Sequence, residues 1–489
     1  MTQRTPLGSI LKWRLIRGAI KTIKLIQMNS LLSLRIALPF FSVTLCQGVL
    51  VKNSTDLASA VSEGKADIEL AAGTYHLKKC LELKSGTTLK GAGMEKTIIT
   101  HVPEWKPSTE ALPDPETRND GFNKDAYLLR LANESEGVTI SNLTLLGPQV
   151  HGAFFARASK KLHLHHLRIK DTLASGIRLQ AAEHSRIHDC EFIDAGGRWA
   201  KGEPGLKGGI TGGGIFAVWI KDSEIFHNRF TRTQEGKENN FYGIKGRQGK
   251  RIRIHHNTIE VNFSIEFPFE NDEDVEIDHN ICAGTISIPK HAGGPVPKSR
   301  RTFHIHHNYF RDTYAIEFVR NGVEISHNLF DFKTEKDHGN LISAFGKTPA
   351  KGPALFHNNL VSNPGRGVIW MNEPFDHLEV RNNHIIARTT ATPRKEGLFG
   401  LSEKTDFSTV AIRENIIECR GQPRALFRND ESYQAKVEDN TLINVTDSSH
   451  FEKKGPQKKG GLEAPLLFQC GVHGESTVDG WNIRPTAGK

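Results

Sequence analysis

One short pattern recurs along most of this chain and limits what it can fold into. It reads apolar, variable, polar, Asn, as in Ile225-Phe226-His227-Asn228, Ile254-His255-His256-Asn257, Ile277-Asp278-His279-Asn280, Ile305-His306-His307-Asn308 and Ile325-Ser326-His327-Asn328. Looser copies come earlier, at Ile140-Ser141-Asn142-Leu143, Leu164-His165-His166-Leu167 and Ile187-His188-Asp189-Cys190, and later ones end at Asn358, Asn383, Asn415 and Asn440. From 228 to 440 the Asn positions are 29, 23, 28, 20, 30, 25, 32 and 25 residues apart. A globular repeat of fixed size does not vary so widely. A coil of three short strands does, because its turns lengthen without disturbing the sheets, and stacked coils pair their strands in parallel. Asn suits such a turn because it tolerates left-handed backbone angles and its amide can bond to the next Asn in the stack. The expectation is an all-β, single-stranded right-handed parallel β-helix of about 12 coils. The 45 glycines agree with a turn-rich β protein.

A solenoid needs a cap. Ser54-Thr55-Asp56-Leu57-Ala58-Ser59-Ala60-Val61 reads as a short amphipathic helix with Ser54 or Thr55 as N-cap. Ile68-Glu69-Leu70, Gly73-Thr74-Tyr75 and Gly86-Thr87-Thr88-Leu89-Lys90-Gly91 follow as the first strands and turns. Helix, "IELAAGTY" and "TTLKGAG" together resemble the start of pectate-lyase-like β-helix proteins, and the resemblance runs through the repeats to about residue 445. It implies the fold and a carbohydrate substrate, and it leaves the reaction open. Residues 102–126, with four prolines, and the Gly-rich 194–214 are expected as loops beside a binding groove. Residues 51–445 form the expected helix domain, and 446–489 a C-terminal cap or extension.

The formal charge of +9 invites a polyanion partner, but its location argues otherwise. Residues 1–50 hold seven Lys or Arg and no acid, so the rest of the chain carries only about +2. No nucleic-acid partner is expected. The basic lead runs into an apolar stretch, Leu31 to Leu45, which reads as a secretory signal too short and interrupted for a membrane span. Met28 is an alternative start, and Cys46 lacks the small preceding residue of a lipidation site. A secreted, periplasmic or cell-surface protein is expected. The remaining cysteines, Cys80, Cys190, Cys282, Cys419 and Cys470, are scattered without a CxxC pair, which argues against a disulfide framework or zinc site.

Stacking makes alignment informative. Counting back from each turn to a Gly-Ile or Ala-Ile step aligns Ile177, Ile215, Ile244, Ile265, Ile316 and Ile369. With these inward, alternation sends Arg178, Phe216, Lys245, Glu266, Glu317 and Trp370 outward on one face, with Arg247 beside Lys245. Thr285-Ile286-Ser287-Ile288 supplies the coil between Glu266 and Glu317. Arg178, Phe216, Lys290, His291, Arg320 and Trp370 are the candidate substrate contacts, Phe216 and Trp370 by stacking on sugar rings.

Two reactions fit this row. In a uronate lyase Lys245 is the base, Arg247 holds the substrate carboxylate in a fork, and Glu266, Glu270 and Asp272 either bind calcium or orient Lys245. In a hydrolase Glu266 and Glu317 are acid and base, two coils or about 9–10 Å apart. A solvated face of ion pairs on a non-catalytic carbohydrate-binding or surface solenoid is the third reading. Polygalacturonase-like hydrolases are echoed only by Arg168-Ile169-Lys170. Lys245 and Arg247 are similar in type to the Lys and Arg of chondroitinase-B and alginate-lyase relatives, although here they share one strand and no Arg-His-Gly signature occurs. The His pairs recur at the turn along the whole stack, which favours a structural role over a metal site; His291 lies outside that register.

Overall fold

Twelve strands stacked one per coil, in strict chain order, make up one sheet of the molecule, from Leu81–Leu83 to Phe399–Gly400. The computed structural model describes residues 48–105, 126–196, 213–233, 241–267, 272–288, 302–311, 316–318, 322–332, 340–344, 350–365, 367–371, 375–389, 397–401, 406–427, 434–446, 476–478 and 481–483. A second sheet of 27 strands takes two strands from most coils, and every pairing in the two sheets is parallel. This is the three-strand coil of a right-handed parallel β-helix, and among the described residues twelve coils carry a strand in the smaller sheet, against about 12 coils expected. The basic leader and both expected loops, apart from their ends at 48–50, 102–105, 126, 194–196 and 213–214, lie outside the described residues. Beyond Val445 the described strands are Ser476–Val478 and Trp481–Ile483, an antiparallel pair. Among the described residues, no helix is long and apolar enough to cross a membrane.

The apolar residue that opens each motif faces the interior and stacks on its counterpart one coil away. Ile225, Ile254, Ile277, Ile305 and Ile325 are direct register partners and almost fully buried. Each such side chain contributes about 1.5–3 kcal/mol on burial. The helix Ser54–Ser62 closes the first coil by burying Leu57, Ala60 and Val61. Its N-cap is Asn53, whose side chain accepts from the Asp56 amide, one residue before the expected Ser54. Ser54 instead accepts from the backbone of His76, and so ties the cap to the strand Gly73–Leu77.

The motif's Asn does form a ladder, with two corrections. The left-handed residue is the one before it: His227, His256, His279, His307 and His327 all have φ near +55°. Each Asn is left free to bond along the stack. Asn228, Asn257, Asn280, Asn308, Asn328, Asn359, Asn383, Asn415 and Asn440 each offer Oδ1 or Nδ2 to the neighbouring Asn at 2.9–3.1 Å. Asn359, rather than the expected Asn358, is the sixth rung, because Asn358 takes the left-handed place. In the earlier coils Leu143, Leu167 and Cys190 follow the left-handed residue, so the column starts apolar and turns polar at Asn228. The His residues outside the ladder form a column of their own. His256, His279, His307 and His327 stack nearly parallel with centroids 4.9–5.0 Å apart.

Candidate functional site

The register of the 12-stranded sheet reproduces the expected row and completes it. Arg130, Phe155, Arg178, Phe216, Lys245, Glu266, Ser287, Glu317, Ser343 and Trp370 are successive partners on consecutive coils. The Ser343 coil, between Glu317 and Trp370, was not anticipated; its strand Asn340–Ala344 lacks the Gly-Ile step used for alignment. Glu270, Lys290, His291 and Arg320 lie outside the described residues. Glu317 is placed by its strand Ile316–Phe318.

From Phe155 to Ser287 the row is enclosed rather than solvated. Arg178 and Phe216 are 1% exposed, Lys245 4% and Glu266 8%. Lys245 Nζ lies 2.6 Å from Glu266 Oε2, an ion pair between adjacent coils. The same ammonium stands 4.3 Å from the centroid of the Tyr242 ring, which in turn stacks on Phe263. Phe216 has the guanidinium of Arg178 4.9 Å from its centroid and that of Arg247 at 5.2 Å. Cation–π contacts of this kind are worth about 2 kcal/mol each when desolvated. The Phe216 ring is thus buried among the cations and helps to hold them. Trp370 remains partly exposed, packed over Gly400 on the next coil.

Local sequence explains how the cations are held. Gly246 separates Lys245 from Arg247 and faces the interior, where a Cβ would collide with the Phe267 ring. Phe267, fully buried, therefore packs directly beneath the strand that carries both cations. Asp272 is fully buried, and its Oδ1 accepts from the Gly249 amide at 2.7 Å, two residues past Arg247. Its carboxylate thus fixes the turn that follows the site strand, and Glu266 is committed to Lys245. Of the expected set, Glu266 takes the place expected of a residue that orients Lys245, and Asp272 holds the turn.

Two residues near the row escaped sequence reasoning. Tyr242 opens the site strand and supplies the ring beneath Lys245; its three-residue offset from Lys245 breaks simple alternation, which hid it. His151 precedes the strand Gly152–Arg157 and is 3% exposed. Burial, aided by the charge of Arg178, pushes its imidazole down to about 4, so it is neutral at pH 7. Its one legible signal was a histidine outside the turn register.

A groove of about 580 Å³ lies on the other sheet, lined by Arg186, Asp222, Glu224, Arg251, Arg253 and Glu276 among others. Its cations are largely matched across coils: Arg251 pairs with Asp222 at 2.6 Å and Arg186 with Glu224 at 3.1 Å. It is a face of paired charges, whereas the enclosed row concentrates cations around aromatic rings. We take the row as the candidate site.

Comparison with known proteins agrees with the architecture. A family model described as the right-handed β-helix region matches residues 128–331. Solved structures similar to this chain include PfbA, a surface adhesin of Streptococcus pneumoniae, at 14% identity, TM-score 0.50 and coverage of 68% of this chain and 86% of that one. A PL6-family alginate lyase, AlyGC, is similar at 14% identity and TM-score 0.51, covering 84% and 60%. The tailspike of Escherichia coli bacteriophage HK620 is similar at 11% identity and TM-score 0.53, covering 81% and 73%. At these identities the likeness is one of fold. No curated protein sequence matches the chain.

Proposed function

We propose that this right-handed parallel β-helix is an exported protein that binds an acidic polysaccharide along its 12-stranded sheet and cleaves it by β-elimination at Lys245. The observation that supports this is the gathering of Arg178, Lys245 and Arg247 around Phe216 and Tyr242, with Lys245 in contact with Glu266. A uronate sugar carries a carboxylate next to C5, and the C5 proton can leave only if the developing charge is stabilised. Guanidinium groups suit that task, since they bind carboxylates in a planar fork.

The Lys245–Glu266 pair supplies the proton chemistry in a closed cycle. In the ion pair the proton sits on Lys245. Transfer to Glu266 across 2.6 Å leaves a neutral amine and a neutral carboxyl. The amine then takes the C5 proton, the C4–O4 bond breaks, and a C4–C5 double bond forms. Glu266 protonates the departing oxygen, which restores the ion pair. Hydrolysis by Glu266 and Glu317 is less well supported, because the Ser287 strand separates them and Glu266 is engaged by Lys245.

The test incubates the full chain with acidic and neutral polysaccharides, following unsaturated-uronate absorbance and reducing ends together. Both signals are expected. Lys245→Ala and Glu266→Gln should each lower the rate by about 10²–10⁴-fold, the usual worth of a positioned acid or base. Reducing ends alone would mean hydrolysis, and binding with neither signal would mean a carbohydrate-binding solenoid; either outcome overturns the proposal, as does full activity in Lys245→Ala.

A further inference from the structure

On the outer face of the 27-stranded sheet, away from the Lys245 row, three ligand-type side chains converge. Glu276, on the strand Glu273–Asp278, is the register partner of His304, on the next coil's strand Phe303–His306. His304 and His306 are two residues apart on that strand and so share its outer face. One ligand atom from each of Glu276, His304 and His306 lies within 4.8 Å of the other two, and no other group of this kind occurs among the described residues. Glu276 Oε1 is 2.9 Å from His306 Nε2, and the two imidazole centroids are 3.9 Å apart.

The geometry points to a transition-metal site, and we propose that Glu276, His304 and His306 bind one divalent cation of the zinc class. Several observations favour that chemistry over a simple charge pair. Two imidazoles and a carboxylate are the donor set that borderline cations such as Zn²⁺ prefer, with bonds of about 2.0–2.2 Å. Ligand atoms around such an ion lie about 3.3 Å apart if its geometry is tetrahedral, so side-chain rotations of about 1 Å close the set. Glu324, the partner of His304 on the following coil, brings a second carboxylate: its Oε1 is 3.6 Å from His304 Nε2 and 3.1 Å from His357 Nε2. It is placed to be a fourth ligand or to orient one. The set is also reachable. Glu276 has 36% of its side chain exposed, His304 18% and His306 11%, so an ion can enter from solvent.

The alternating residues of a strand explain why the histidines carry two roles. His307, next in sequence, is the left-handed turn residue and stacks in the imidazole column. His304 and His306 stand on the strand proper, where side chains point out of the coil. A turn-only reading of the motif merges these two classes.

The experiment titrates Zn²⁺ alone into the full chain against a chromophoric chelator, and repeats the titration with Co²⁺ to read its visible absorption. The full chain should bind one equivalent that the His304→Ala/His306→Ala double variant lacks, and Glu276→Gln should weaken that equivalent at least tenfold. Zn²⁺ should raise the melting temperature of the full chain and of a His163→Ala control, and leave the double variant unmoved. Circular dichroism before titration establishes that each variant is folded, and Glu276→Gln, the mildest change, serves if the double variant is not. The proposal is overturned if the full chain binds no stoichiometric Zn²⁺, if binding persists in the folded double variant, or if His163→Ala removes it equally.

Discussion

Replacing one central rung of the Asn ladder should destabilise the molecule far more than replacing its neighbours in sequence. Asn308 is fully buried, and its amide has five hydrogen-bond contacts, three of them sharing the two N–H bonds of Nδ2. Its Oδ1 accepts from the backbone N–H and Nδ2 of Asn280, both at 3.0 Å; its Nδ2 donates to the carbonyls of Ile277 and His306, at 2.8 and 3.0 Å, and to Asn328 Oδ1 at 3.0 Å. In Asn308→Ala the Asn280 N–H loses this acceptor inside the stack, at a cost of about 1–3 kcal/mol, and the remaining bonds are worth about 0.5–1.5 kcal/mol each. Part of the second sum is recovered, since Asn280 Nδ2 still donates to Ile254 and Asn328 Oδ1 still accepts from the backbone N–H at 308. The expected loss is about 3–5 kcal/mol. Asn440, at the ladder's end and 5% exposed, accepts from the Asn415 N–H and Nδ2 but donates only to Ile412, so Asn440→Ala should lose about half as much. Asn358→Gly should cost under about 1 kcal/mol, because glycine accepts the left-handed angle that Asn358 adopts, whereas Asn359→Ala should behave like Asn308→Ala. Urea unfolding gives the midpoints, and hydrogen exchange at the Asn280 amide reads the local effect, which matters because a solenoid can open coil by coil. A loss below about 1 kcal/mol for Asn308→Ala, or equal losses at 358 and 359, would refute the ladder as a source of stability.

Two further expectations rest on burial. The imidazoles of His256 and His327 are pushed down to about 4 and that of His307 to about 3, first by burial and then by neighbouring histidines on the same and adjacent coils. Their unfolded value is near 6.5, so between that pH and about 4 the unfolded chain binds more protons and stability falls as pH falls; thermal melts across pH 7 to 4 should show a steady decline, and a flat profile would contradict the stacked column. Burial also pushes the Cys190 and Cys282 thiols up to about 12, so peptide mapping after iodoacetamide treatment of the native protein should find both unmodified, with modification appearing only in denaturant.

The coil architecture was legible because its causes are local and repeated. Each motif carries an inward apolar residue and a turn, and identical neighbours above and below supply the rest of its environment. The outward row was legible for the same reason: once Ile177, Ile215 and Ile244 are known to stack, Arg178, Phe216 and Lys245 must stack too. What each side chain does in the row was legible only in part, with Glu266 expected, in one of two roles, to orient Lys245. Alternation gives Phe216 a direction but says nothing of what fills the space beside its ring, and here Arg178 and Arg247 stand there. Asp272 offers a carboxylate by residue type, and its contact with a backbone amide 23 residues earlier comes only from the fold. The shift from Asn358 to Asn359 has the same origin. The sequence His357-Asn358-Asn359 offers two Asn to one ladder, and only the stack above and below, Asn328 and Asn383, decides which one bonds and which one turns. A repeat can therefore be read coil by coil for its fold, but a site on it depends on contacts between coils that differ, and the Lys245–Glu266 pair is such a contact. It joins two strands whose turns lie 23 residues apart, and neither strand alone hints that the lysine's proton has a carboxylate within reach.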